Sequence, residues 1–128
     1  MADVSCTKGK ITTVADLYAK QGSDYICTYE YLSATATAID ITAADIRMQI
    51  RQHVVDETAI AEYSITTTHI TITDAVNGEF TVNIPAAETV LLDFREAVYD
   101  IEIVLNGIVD KVVRGRAFME LSVTRDDI

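Results

Sequence analysis

Basic residues are in short supply in this sequence: ten Lys and Arg stand against twenty Asp and Glu, for a net charge of −10. That balance repels nucleic-acid phosphates and disfavours an anionic membrane surface, so neither is expected as a partner. Glycine and proline number five and one. So few glycines exclude a phosphate cradle of the GxGxxG or GxxxxGKS/T kind, and no repeat or low-complexity linker divides the chain. The two cysteines, Cys6 and Cys27, form no CxxC pair and are too few for a disulfide framework. They are expected as free thiols of a protein made in a reducing cytoplasm, with a bridge between them as the alternative. His53 and His69 stand at none of the short spacings of zinc motifs, so neither a metal nor a cofactor is expected. No run approaches the roughly 20 apolar residues of a spanning helix, and the opening MADVSCTKGK lacks the apolar core of a signal peptide.

What the sequence has is apolar content in a regular pattern. With 49% hydrophobic and 23% charged residues over 128 positions, it is expected to fold as one domain with a real core. Thr, Val and Ile suit a pleated, half-buried surface, and they fall with period two. In IRMQIR (46–51), Ile46, Met48 and Ile50 share one face while Arg47, Gln49 and Arg51 share the other. EFTVNIP repeats this with Phe80, Val82 and Ile84 inward, and Pro85 ends the strand for want of an amide hydrogen. Asn77-Gly78 predicts a hairpin with THITIT (68–73) before it. Asn106-Gly107 predicts a two-residue turn between YDIEIVL and IVDKVV. Gly115 permits a bulge or bend before a last run with Ala117, Met119, Leu121 and Val123 inward. DYICTYEY (24–31) and a short strand near 59–63 complete the set, while 86–93 is the one short helix candidate and 13–20 is ambiguous. The expected fold is all-β: an antiparallel β-sandwich, immunoglobulin-like or jelly-roll-like, of about eight strands. Residues 1–22 are expected to form an N-terminal arm bounded by Gly22, and residues 23–128 the single sandwich domain.

Three groups of residues bear on chemistry. Asp93, Asp100, Glu102 and Asp110 are close in sequence, but alternation puts Asp100 and Glu102 on a solvent face, without the burial that raises a catalytic acid's pKa. A small hydrolase built on them is the weakest reading. Nucleophilic catalysis has no GxSxG elbow to support it, so no catalytic residue is assigned. Tyr25, Tyr29 and Tyr31 share one strand face and would form a carbohydrate- or ligand-binding platform if exposed; packing on the sheet is the plainer account. Val98 and Val104 fall on the nominally outer face beside Asp100 and Glu102, which marks that face as a candidate interface.

The ordered set IDIT (39–42), IRMQIR, GEFTVNIP (78–85), VYDIEI (98–103) and GRAFMELSVTR (115–125) resembles small virion proteins of tailed bacteriophages. It is similar to the N-terminal β-sandwich domain of siphophage baseplate upper proteins and tail-fibre adaptors. The resemblance implies a structural role without catalytic residues: a tail, baseplate or adaptor subunit that docks on other virion structural proteins. It also implies location in the virion. The absence of site chemistry together with the high apolar content leads to the expectation of a symmetric homo-oligomer or a fixed virion neighbour, made in the host cytoplasm. A capsid decoration or neck subunit is the alternative within the same class.

Overall fold

The computed structural model describes residues 13–33 and 35–123. The period-two pattern becomes nine strands and one helical turn: β1 (Thr13–Val14), β2 (Leu17–Lys20), β3 (Tyr25–Glu30), β4 (Asp45–Arg51), β5 (Ala61–Ser64), β6 (Ile70–Asp74), β7 (Glu79–Ile84), α1 (Ala86–Thr89), β8 (Glu96–Leu105) and β9 (Ile108–Glu120). The larger sheet runs β1-β9-β8-β4-β5, with β2 also on β9; the smaller runs β3-β7-β6. Ladders within each sheet are antiparallel except at one margin, where β1 and β2 run parallel to β9. These two short strands are halves of one interrupted strand, since Val14 pairs with Arg114 and Leu17 with Ala117 without a change of offset. The fold is the all-β class expected.

The inward faces meet in one core that draws Met48 and Ile50 from β4, Phe80 and Val82 from β7, Ile101 and Ile103 from β8, and Val113 and Ala117 from β9. Burial of each large aliphatic or aromatic side chain contributes about 1.5–3 kcal/mol. The β8–β9 turn is as the sequence predicts: Asn106 and Gly107 take φ of 53° and 78°, the positive pair of a type I′ turn.

Gly115 makes no bulge or bend. The strand runs through it, and the irregularity lies three residues earlier: Ile101 pairs with Val113 and Glu102 with Lys111, leaving Val112 unpaired. A bulge sets two residues against one and shifts the alternation that follows. Val112 and Val113 are accordingly both buried, and Lys111 and Arg114, three apart, reach the same outer face. Gly115 serves close approach instead. A Cβ there would strike the Ala15 carbonyl, which turns out of the ladder to accept a hydrogen bond from Tyr99 Oη at 2.6 Å. Asp16 Oδ1 then takes up the Arg116 amide at 3.2 Å. The terminal run also ends sooner than expected, and Val123 is exposed.

The arm expected at 1–22 is corrected over its described part. Leu17 belongs to the core, and the turn after β2 is fastened to α1: Thr89 Oγ1 accepts from Gly22 N at 3.1 Å and donates to Ser23 O at 2.8 Å. Gln21 adds a bond from its Nε2 to Val90 O at 3.0 Å. Alternation in 13–20 was too brief to reveal a margin held by backbone pairing. Residues 1–12 lie outside the described residues. Cys27, buried on β3, is disulfide-bonded, which corrects the free thiol expected there; Cys6 lies outside the described residues.

Two glycine substitutions separate turn from close approach. Gly107→Val has open space around its side chain but a φ of +78°, so it should cost about 1–3 kcal/mol through backbone strain alone. Gly115→Ala has the smaller side chain yet must displace Ala15, and a loss of about 1–3 kcal/mol is expected. Thermal melts check both. A Gly115→Ala protein that melts like the parent would contradict the close approach.

Candidate functional site

The outer face of the larger sheet carries an open groove of about 680 Å³ across β4, β8 and β9. Cross-strand register builds it: Gln49 pairs with Asp100, Arg51 with Val98, Val98 with Arg116 and Asp100 with Arg114. Paired residues project to the same face, so these side chains form one surface. Four cations, Arg51, Lys111, Arg114 and Arg116, line it with two carboxylates, Asp16 and Asp100. In a chain of net charge −10 this face is where bases collect. The run KVVRGR (111–116) holds three of them, a signal the sequence reading passed over because the bulge at Val112 is what aligns them.

Beside the groove, Glu102 is only 6% exposed, which corrects its assignment to solvent. Lys111 Nζ lies 2.7 Å from Glu102 Oε2 and Arg47 Nε 2.6 Å from Oε1. The Lys111 and Arg47 hydrogen bonds outweigh burial and hold its carboxyl below the usual range. Lys111 also reaches Asp100 at 3.4 Å. Asp110 lies apart, on the inward side of the bulged strand, accepting from Tyr31 Oη at 2.7 Å, and Asp93 is exposed on the segment before β8. The four acids therefore do not converge. Asp100 and Glu102 share Lys111, and the lowered pKa of Glu102 is the opposite of the raised pKa a general acid needs.

The three tyrosines are not a platform. Tyr29 and Tyr31 are buried, and Tyr25 is half-buried with its hydroxyl 3.5 Å from that of Tyr29. Tyr29 stacks on Phe80 with ring centroids 5.4 Å apart. Burial and the Asp110 carboxylate push the Tyr31 phenol up to about 12, and burial raises Tyr25 and Tyr99 as well. No face of Tyr29 is open to stack a sugar. Val98 and Val104 are half-buried on the outer face, Val98 within the groove. His69 joins Glu88 at 2.6 Å and His53 joins Asp56 at 3.6 Å, at separate places. Among the described residues no three His, Cys, Asp or Glu side chains come together as a metal cluster, and no helix is long and apolar enough to cross a membrane.

No family model matches this sequence, and no curated protein does. Among solved structures, the chain is similar to the N-terminal domain of phage TP901-1 ORF48. The TM-score is 0.50 and the identity 11%, over 88% of this chain and 98% of that one. At that identity the likeness is one of fold, and the fold is one a phage protein uses.

The Glu102 arrangement has a measurable consequence. Glu102→Gln should cost about 1–2 kcal/mol, a figure kept low because Arg47 and Lys111 are half exposed and regain water. Asp100→Asn should stay within about 0.5 kcal/mol. A carboxylate with a lowered folded pKa stabilises above its unfolded pKa and loses that contribution as pH falls through the folded one. Denaturant titrations should therefore show the Glu102→Gln deficit at neutral pH and its disappearance on acidification below the usual carboxylate range. An undiminished deficit at acid pH would show that charge is not its cause.

Proposed function

We propose that this chain is a structural subunit of a tailed-bacteriophage virion, a tail, baseplate or fibre-adaptor component. It acts through contacts with other virion structural proteins and with copies of itself. The observation that carries this reading is the fold shared with a phage protein domain across nearly all of that domain's length. Two features of the outer face of the larger sheet agree with it. Asp100 is ion-paired to Lys111, and Glu102, held between Lys111 and Arg47, has its pKa lowered rather than raised. The outer face also combines charge with exposed apolar side chains, including Tyr18 stacked on Phe118 with ring centroids 5.2 Å apart, the composition of a protein contact. On this reading the protein is not an enzyme, takes no cofactor and resides in the virion.

Mass spectrometry of purified particles, with the subunit located in a density map, tests the proposal. The chain is expected in fixed stoichiometry at the tail tip or fibre base. Density at the capsid surface or neck would move it to a decoration or neck role, and absence from particles would overturn the proposal.

A further inference from the structure

We infer that the outer-face groove is the contact between two copies of this chain, each laying its β4–β5 loop into the groove of the other. The inference rests on the reading of the chain as an assembling subunit and gives that assembly its surface.

Three observations carry it. Arg114 is exposed on the groove and has no ion pair or side-chain hydrogen bond among the described residues. Arg51 gives its guanidinium to neutral oxygens alone, Asp56 O at 2.8 Å and Gln49 Oε1 at 2.7 Å, so its charge too is unanswered. The β4–β5 loop, whose Val54 lines the groove, carries an acidic and apolar set. Val54 and Val55 are 78% and 88% exposed, and exposed Glu57 makes no ion pair or hydrogen bond among the described residues. The loop is kept in shape by the Arg51 bond to Asp56 O and by the His53 amide on Asp56 Oδ2 at 3.0 Å.

Val54 also lines the groove, so loop and groove form one continuous surface. That surface offers an unpaired cation, an unpaired anion and apolar groups together. A uniformly acidic partner would answer Arg114 and leave Glu57 facing like charge. A purely apolar partner would strip water from both charges without pairing either, which is costly. A second copy related by a two-fold axis answers both at once, because residue i meets j and j meets i in such an interface. Glu57 of each protomer then faces Arg114 of the other.

Charge reversal on the full chain tests this by sedimentation. The parent should form dimers that weaken as salt rises from about 50 to 500 mM. Arg114→Glu and Glu57→Lys should each raise the dimer Kd at least about tenfold, since each sets like charges opposite one another, with the melting temperature of the dilute monomer unchanged. An equimolar mixture of the two variants should restore association, because both contacts in the mixed dimer are then between opposite charges. A parent that stays monomeric to about 1 mM, single variants that dimerise like the parent, or a mixture that fails to restore dimers would each overturn the inference. Presence in particles together with any of these results removes this interface and leaves the structural-subunit reading standing. Absence from particles with the full charge-reversal pattern does the reverse.

Discussion

One extra residue in β9 governs the outer face of this protein. With Val112 left unpaired, the strand changes phase, and valines that alternation would have set on opposite sides both enter the core. The same change aligns Lys111 with Arg114 and Arg116. A strand without the bulge would turn Lys111 inward whenever Arg114 faced out. The Lys111–Glu102 pairing and the place of Lys111 beside Arg114 on the groove follow from that single insertion.

A second dependency runs through Gly115. Because it has no side chain, the Ala15 carbonyl can turn over β9 and reach the Tyr99 hydroxyl. A buried phenol needs such an acceptor, since an unmet hydroxyl in the core costs more than the bond itself contributes. Tyr31 finds its acceptor in Asp110, which the phase change had turned inward. Tyr31, just after β3 of the smaller sheet, is thus answered by the larger sheet and Tyr99 by the margin of its own sheet, so these buried tyrosines serve packing and mutual satisfaction.

Charge is arranged locally against the overall balance. The chain is strongly acidic, yet its larger sheet concentrates cations on one face, where some neutralise carboxylates and Arg114 makes no ion pair among the described residues. Neutralised carboxylates hold structure.

The β4, β7 and β8 faces were legible from Ile46–Met48–Ile50, Phe80–Val82–Ile84 and Tyr99–Ile101–Ile103, and both hairpin turns from their Asn-Gly pairs. These are local properties: side-chain period and allowed φ depend on residues near in sequence. The parallel pairing of residues 13–20 with β9, the burial of Glu102, the disulfide at Cys27 and the place of the bulge were not legible. Each depends on which distant segments meet, and an alternating pattern says which face is apolar without saying what lies opposite. Sequence by itself determined an all-β chain with an apolar and a charged side to its strands. Tertiary structure decided which charges became neighbours, because a one-residue phase change in a single strand re-aims every side chain beyond it.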